Sequence, residues 1–158
     1  RSRGLGDVYK RQRYTYVFKR HPADRGDLLS RMNIDLVSLG AVSTIDEPIH
    51  PLLMAADVVV TQMSTTGTEA LLLGKPLVIV NLSGRTDTIS YVKYGAALGV
   101  YRSGEAANAI ERALNDETTR RTLAEGRERF TRDFAYRPER SSTECIVNEI
   151  YRLVQTKS

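Results

Sequence analysis

Short runs of apolar residues recur along the chain and alternate with stretches of helical spacing. Such runs, rich in valine and isoleucine, are typical of strands buried on both faces of a parallel sheet. They predict five strands, at residues 14–19, 34–39, 58–60, 77–80 and 97–101. Helices are predicted between them at residues 22–32, 52–56, 68–73 and 88–94. This alternating order predicts an α/β fold with a doubly wound parallel sheet.

Three further helices are predicted after the last strand, because apolar residues recur there at helical spacing. The three stripes contain Ala106, Ala109, Ile110, Ala113 and Leu114; Leu123, Phe130 and Phe134; and Ile146, Ile150, Leu153 and Val154. Ser141 and Glu144 have capping-box spacing at the start of the third helix. The single cysteine, Cys145, follows them and is predicted to be a buried, inert thiol. One cysteine excludes an internal disulfide and a cysteine-based zinc site.

Residues 57–81 form the stretch around which the predicted fold is organised. A β-branched strand is followed by the small-residue loop Ser64-Thr65-Thr66-Gly67, a short helix and a second apolar strand. Gly74 suits the end of the helix, and Pro76 prevents its continuation. In such a unit the loop N–H groups and the helix N-terminus point at one place, which is how α/β folds bind phosphates. The stretch therefore predicts a binding site for a nucleotide diphosphate.

Composition and charge change this picture little. The chain has 158 residues, of which 41% are hydrophobic and 27% charged, as in an ordinary globular protein. Its net charge of +4 arises largely from residues 1–13 and 120–132, and acidic residues in the second stretch indicate a solvated face. No basic patch is interleaved with aromatic residues, so we expect no nucleic-acid partner. Tyr91 and Tyr94 are interpreted as packing residues.

Residues 1–12 are predicted to lie outside the folded domain. They carry no periodicity, and the run from Gly6 to Gln12 resembles a translated sequencing-adapter read-through. A basic, disordered native linker is the alternative interpretation. We therefore predict a non-native or disordered leader at residues 1–12 and a single domain at residues 13–158.

Several motifs together resemble the C-terminal half of GT-B-type enzymes. They are a strand ending in His21-Pro22, the Ala-Asp-Val-Val-Val-Thr run at residues 56–61, the Ser-Thr-Thr-Gly loop, and Glu69 followed by Leu-Gly-Lys-Pro at residues 73–76. The group includes glycosyltransferases, CDP-glycerol glycerophosphotransferases and UDP-N-acetylglucosamine 2-epimerases. The resemblance implies a Rossmann-like domain from a two-domain enzyme, whose N-terminal domain supplies the acceptor site and the general base. It also implies a cytoplasmic location, with or without peripheral association at the inner membrane face.

The resemblance also implies roles for individual residues. Ser64, Thr65, Thr66 and Gly67 would hold the diphosphate of a nucleotide-sugar or CDP-polyol donor, and Glu69 would accept hydrogen bonds from the ribose. His21 would lie near the phosphates as the catalytic-site histidine, with Lys19 and Arg20 beside it. The segment around His50 would pass near the base. No metal or other cofactor is expected, because a helix N-terminus carries about half a positive charge and there is no aspartate cluster.

Departures from these families leave alternatives open. Thr61 stands where many retaining glycosyltransferases have the first glutamate of a pair, and Thr68 precedes Glu69 where the epimerases have a second acid. An epimerase-like isomerase and a non-catalytic phosphate-binding module therefore remain alternatives to a transferase. Glu69 would also serve as the acid of a capping box with Thr66. Arg85 and Asp87, in a turn-rich loop after a strand, are candidates for contacts with the sugar or polyol.

Overall fold

A computed structural model of the chain describes residues 14–21, 23, 35–36, 40–134 and 141–155. The chain divides into two units, Arg1–Leu52 and Leu53–Ser158. Within the described residues, the strands form two small sheets in which all pairing is parallel. The predicted α/β class and the parallel pairing are confirmed. The predicted leader at residues 1–12 and the helix at residues 22–32 lie outside the described residues, apart from Ala23, which is in a turn.

The first unit contains a parallel pair of strands, β1 (Tyr16–Lys19) and β2 (Ala41–Thr44). The pairing continues one residue beyond β1, since the N–H of Arg20 donates to the carbonyl oxygen of Thr44 at 2.8 Å. Lys19 Nζ donates to the carbonyl oxygen of Ile45 at 2.6 Å, which links the ends of the two strands. This pair accounts for the first predicted strand and its end before His21.

Of the predicted second strand at residues 34–39, the structure describes only Asp35 and Leu36, and neither belongs to a strand. The strand that pairs with β1 lies at Ala41–Thr44. Gly40 directly precedes the strand, with a φ of 71°. Two of the four residues of β2 are exposed and two are polar. A search for buried apolar runs misses such a strand, because its position is decided by pairing with β1.

The second unit contains a three-stranded sheet in the order β3 (Val59–Thr61), β4 (Leu77–Val80), β5 (Leu98–Val100). Helix α1 (Ile49–Ala55) precedes β3, and α2 (Thr66–Leu72) connects β3 to β4. Helices α3 (Ala106–Asn115), α4 (Glu117–Phe134) and α5 (Ser142–Gln155) follow β5. The central strand β4 is the most buried, with Leu77, Val78 and Ile79 at most 2% exposed. Its continuous apolar run reflects burial on both faces.

Helices α3 and α4 complete the core of the second unit. Val78 and Val100 of the sheet form one buried cluster with Ala109, Ala113 and Leu123 of these helices. A second group is aromatic: Tyr91 and Tyr94 contact Phe130, with ring centroids 5.0 and 5.6 Å apart. The two tyrosines are thus packing residues, as predicted.

The end of α2 confirms the roles predicted for Gly74 and Pro76. Gly74 has a φ of 74°, its N–H donates to Leu71, and the N–H of Lys75 donates to Ala70. This pair of bonds is a Schellman motif, which glycine favours because it adopts a positive φ without steric cost. The chain then passes through Pro76 directly into β4.

The helix predicted at residues 88–94 is wrong. The segment is a series of turns, with single bonds from Tyr94 N–H to Ser90 and from Ala96 N–H to Tyr91. A segment this short depends on tertiary packing for its conformation. Burial of Tyr91, which is 1% exposed, decides the path of the backbone here.

Helix α5 begins where the capping box predicts. The N–H of Glu144 donates to Ser141 Oγ at 3.4 Å, and the helix starts at Ser142. The interpretation of Cys145 as buried is wrong, because the thiol is exposed and no residue of α5 is buried. Among the described helices, none combines the length and the apolarity needed to cross a membrane. The strands and helices together make this an α/β fold. A doubly wound sheet stays a prediction.

Candidate functional site

The carboxyl ends of β3, β4 and β5 lie at one edge of the parallel sheet, at Thr61, Val80 and Val100. The loops that leave this edge are residues 62–65 and 81–97, together with the segment that begins at Tyr101. In open α/β sheets, ligands bind outside the carboxyl ends of the strands. Most of the candidate site residues belong to these loops and to the start of α2.

Tyr91 joins the first two loops. Its hydroxyl donates to the carbonyl oxygen of Ser64 at 3.0 Å and lies 2.9 Å from Thr68 Oγ1. The Thr88 hydroxyl makes a further contact with Met63 Sδ at 3.2 Å. The loop after β3 is therefore held by side chains from the loop after β4. Sequence reasoning assigned Tyr91 to packing alone and missed this second role.

Gly67 permits the close approach of Tyr91. A β-carbon at position 67 would lie 2.9 Å from both Cε2 and Cζ of the Tyr91 ring. Gly67 is itself buried and belongs to α2. The absence of a side chain at this position is required for the contact between the two loops.

The hydroxyls of Ser64 and Thr66 form a short hydrogen-bonded chain. The N–H of Thr66 donates to Ser64 Oγ at 3.1 Å, and Ser64 Oγ–H donates to Thr66 Oγ1 at 3.0 Å. Each hydroxyl has one proton to donate. The proton of Ser64 is thus committed inside the loop, whereas that of Thr66 is directed to no acceptor among the described residues.

Several backbone N–H groups expected to face a ligand donate inside the protein. Gly67 donates to the carbonyl oxygen of Ser64 at 3.0 Å, and Thr68 and Glu69 both donate to that of Thr65. Thr65 precedes α2 and makes no side-chain cap. The N–H groups of residues 66–69 are therefore engaged inside the protein, and the hydroxyls of Thr65 and Thr66 are the side-chain groups that this loop offers to a ligand.

A second network joins the ends of β4 and β5 through Asp87. Its two carboxylate oxygens accept hydrogen bonds from Asn81 Nδ2 at 2.8 Å and from the Tyr101 hydroxyl at 2.5 Å. Asn81 follows β4 and is only 1% exposed. It also donates to the carbonyl oxygen of Arg85, and its Oδ1 accepts from Ser83 Oγ at 2.6 Å. Every polar atom of the Asn81 side chain is used to hold this loop.

The environment of Tyr101 raises the pKa of its hydroxyl. Burial, and then the hydrogen bond and charge of Asp87, raise the pKa of Tyr101 from 10.0 to about 12. Tyr101 is 49% exposed, so its phenol is only partly shielded from water; this shielding disfavours the charged form, and the neighbouring carboxylate repels it. Tyr101 is thus a neutral hydrogen-bond donor at physiological pH. Sequence reasoning missed both Asn81 and Tyr101. A polar residue directly after a buried strand was the available signal for Asn81.

Glu69 lies in the first turn of α2 and is half-buried, with no solvent exposure at Oε2. The N–H of Thr66, which a capping box would pair with Glu69, donates to Ser64 Oγ instead. The capping interpretation of Glu69 therefore lacks its defining bond. Contact with a ribose stays a prediction.

The remaining candidates are exposed. Arg85 contributes its carbonyl oxygen to Asn81, and its side chain is exposed. His21 belongs to the first unit, where its Nδ1 accepts the N–H of Ala23 at 3.1 Å. This bond favours the tautomer with the proton on Nε2, so the free nitrogen of the ring is a donor. His50 is the exposed second residue of α1 and therefore not its N-cap.

Comparisons with known proteins were made for the whole chain. Neither the models of known protein families nor the curated proteins include a match. Within the described ranges, no three histidine, cysteine, aspartate or glutamate side chains are grouped closely enough to hold a metal ion. The case for a function therefore depends on the geometry at the carboxyl edge of the sheet.

Proposed function

We propose that this chain is the donor-binding half of a transferase that uses a nucleotide-sugar or a CDP-polyol. The reaction would belong to the synthesis of a surface polysaccharide or a teichoic-acid-like polymer. The fold would then be the Rossmann-like C-terminal half of a GT-B-type enzyme. An N-terminal domain would supply the acceptor site across a cleft.

The proposal depends on the hydrogen bonds of Tyr91 that join the two loops at the carboxyl edge of the sheet. The Tyr91 hydroxyl bonds both Ser64 and Thr68, so the loop after β3 is held in one conformation against the loop after β4. A preorganised loop loses less conformational entropy when it binds a ligand. The hydroxyls of Thr65 and Thr66 belong to this loop.

The chemistry required of these residues is binding and charge stabilisation. With a nucleotide-sugar donor or with a CDP-polyol donor, the nucleotide leaves with the electron pair of the broken bond and gains negative charge. Hydrogen bonds from Thr65 and Thr66 to the phosphate oxygens would stabilise that charge, as donors do at other developing anions. Glu69 would accept hydrogen bonds from the ribose.

The hydrogen bonds that Asp87 accepts support a transferase over an epimerase-like isomerase. An isomerase needs carboxylates that can take up a proton from the substrate. Both oxygens of Asp87 are engaged, by Asn81 and by Tyr101. The carboxylate therefore braces two loops and is poorly placed to act as a base.

The proposal is tested by nucleotide binding. CDP, UDP, GDP and their sugar or polyol conjugates are titrated by calorimetry and by thermal shift, because a ligand that binds only the folded state raises its Tm. We expect one base to be preferred and no turnover from this chain alone. The absence of binding by every member of the panel would refute the proposal.

A matched pair of variants localises the binding. Thr66→Val removes the hydroxyl at the start of α2, and Thr118→Val does the same at the exposed second residue of α4. A hydrogen bond to a charged group contributes about 1.5–3 kcal/mol. Thr66→Val should therefore weaken nucleotide binding by about tenfold or more, whereas Thr118→Val should leave it unchanged. The folded state of Thr66→Val is checked by its Tm.

A further inference from the structure

A cavity of about 620 Å³ lies at the amino edge of the three-stranded sheet, opposite the site described above. Its wall includes residues 74–76, which lead into β4, and Ala96, which precedes β5. The other wall is the first three turns of α4. Of the loops that leave the carboxyl edge, only Ala96 lines this cavity, at the far end of its loop just before β5, and the candidate residues 64–69 and 85–87 do not, so the two sites are separate.

Three of the residues in the two walls have short side chains or none. Gly74, Ala96 and Ala124 leave space where longer side chains would fill it. Leu71 and Leu123, which are 2% and 5% exposed, form an apolar base. A cavity of a few hundred cubic ångströms with an apolar base and a few polar groups is typical of small-molecule sites.

The rim of the cavity is strongly basic. Lys75, Arg120, Arg121 and Arg127 line it, against the single carboxylate of Glu117. Arg120, Ala124 and Arg127 are spaced at i, i+4 and i+7 on α4, which places them on one face of the helix. Several positive charges grouped in a concave site raise the local concentration of anions.

Two of the cations are fixed in place by neutral groups. Lys75 Nζ donates to the carbonyl oxygen of Met54 at 2.7 Å, and Arg127 donates to that of Gly74 at 3.1 Å. These carbonyls orient the side chains but do not neutralise their charge. Glu117 forms an ion pair with Arg121 at 3.3 Å, and both side chains are largely exposed. An exposed pair of this kind contributes little to stability. The rim therefore retains excess positive charge.

We propose that this cavity binds a small oxyanion with two or more adjacent negative groups, such as a diphosphate or a di- or tricarboxylate. Arginine and lysine side chains donate several hydrogen bonds, and guanidinium groups match phosphate and carboxylate oxygens in pairs. The ligand would place its anionic groups among Lys75, Arg120 and Arg127. The site is independent of the proposed donor site and would act as an effector or second-substrate site.

The test is a titration of the ¹⁵N-labelled full chain with pyrophosphate and, separately, with citrate, in about 150 mM NaCl to screen weak surface binding. We expect saturable amide shifts at Gly74, Lys75 and residues 117–127 with at least one anion. The anion that binds more tightly decides between phosphate and carboxylate chemistry. The absence of saturable shifts there with both anions would overturn the proposal. Shifts confined to residues 62–67 and 81–87 would also overturn it, while supporting the donor site.

Two variants that each remove one positive charge distinguish binding of the anion in the cavity from its attraction by the net charge of the protein. Arg120→Gln removes one positive charge from the rim, and Arg132→Gln removes one from the same helix away from the cavity. Loss of one charge-assisted contact should raise the Kd of the bound anion by about tenfold in Arg120→Gln. Arg132→Gln should leave the Kd unchanged. An equal rise in both variants would mean that net charge alone attracts the anion and would refute the proposal.

Discussion

Gly67 lies directly against the ring of Tyr91, so that a β-carbon at position 67 would come within 2.9 Å of its Cε2 and Cζ atoms. The ring cannot move away easily. It is 1% exposed, it contacts Phe130 on one side, and its hydroxyl is bonded to both Ser64 and Thr68. This contact joins the loops on which the proposed donor site depends.

Gly67→Ala is expected to destabilise the protein although alanine favours a helix. The intrinsic gain of alanine over glycine in a helix is about 1 kcal/mol, whereas overpacking a buried contact costs about 1–3 kcal/mol. We therefore expect a net loss of up to roughly 2 kcal/mol, seen as a Tm lower by a few degrees. The measurement is thermal unfolding followed by circular dichroism.

A double-mutant cycle attributes this loss to Tyr91. In a Tyr91→Leu background the space beside position 67 is no longer filled by the ring, so Gly67→Ala should become neutral or stabilising. Residues in direct contact show such coupling, whereas distant residues show additive effects. An unchanged cost of Gly67→Ala in that background would mean that another neighbour resists the β-carbon.

Tyr101 is expected to ionise with a pKa of about 12, above the ordinary value of 10.0. The measurement is the difference in tyrosinate absorbance between the wild type and Tyr101→Phe as the pH rises. Asp87→Asn should lower the pKa of Tyr101, because the hydrogen bond and charge of Asp87 raise it. Since burial is the larger cause, the pKa should remain above 10.0 in that variant.

The shift at Tyr101 also predicts how stability depends on pH. Because the folded state raises the pKa, it favours the neutral phenol, so this contribution is fully present below pH 10 and is lost as the pH rises towards about 12. Tyr101→Phe should therefore flatten the fall in stability over that interval. Tyr94, whose pKa is raised by its hydrogen bond to Asp133, contributes in the same direction and stays in both proteins.

Asn81→Ala is expected to cost roughly 2–3 kcal/mol, because it removes a buried side chain that makes several hydrogen bonds at once. Asn81 donates to Arg85 and Asp87 and accepts from the N–H and the hydroxyl of Ser83. Chemical unfolding measures the loss. The matched control is Asn108→Ala on the exposed face of α3, where alanine should be neutral or slightly stabilising.

Glu69→Gln tests the proposed ribose contact without changing the size of the side chain. If Glu69 accepts hydrogen bonds from the ribose, the wild type should bind UDP or CDP about tenfold more tightly than the 2′-deoxy nucleotide. Glu69→Gln should reduce that preference. Calorimetry with the four protein and ligand combinations measures it. An equal affinity of the wild type for both nucleotides would assign Glu69 a role other than ribose binding.

Nucleotide binding is expected to be independent of Mg²⁺. The proposed diphosphate contacts are the hydroxyls of Thr65 and Thr66, and they include no carboxylate of the kind that anchors Mg²⁺ in protein sites. Excess EDTA should therefore leave the Kd for the nucleotide unchanged. A strict requirement for Mg²⁺ in the same titration would contradict this mode of binding.

The sequence alone determined the features that depend on local chemistry. The apolar runs of β3 and β4, the glycine that ends α2, and the serine that caps α5 all appear in the structure where their patterns predict them. Each is governed by residues adjacent in the chain, namely continuous apolar residues in a buried strand, a positive φ at glycine, or a hydroxyl beside a free N–H. The loop at residues 64–67 was identified for the same reason.

Only the tertiary structure decided which residues from distant parts of the chain meet. Strand β2 is placed by pairing with β1 and not by its own composition, and the segment before Gly95 forms turns because Tyr91 is buried. Tyr91 lies 27 residues from Ser64, and Tyr101 lies 14 residues from Asp87. Such bonds form when strands are brought side by side, and no spacing along the chain encodes them. The same physical reason explains the basic cavity, whose two walls become neighbours only when α4 packs beside the start of β4.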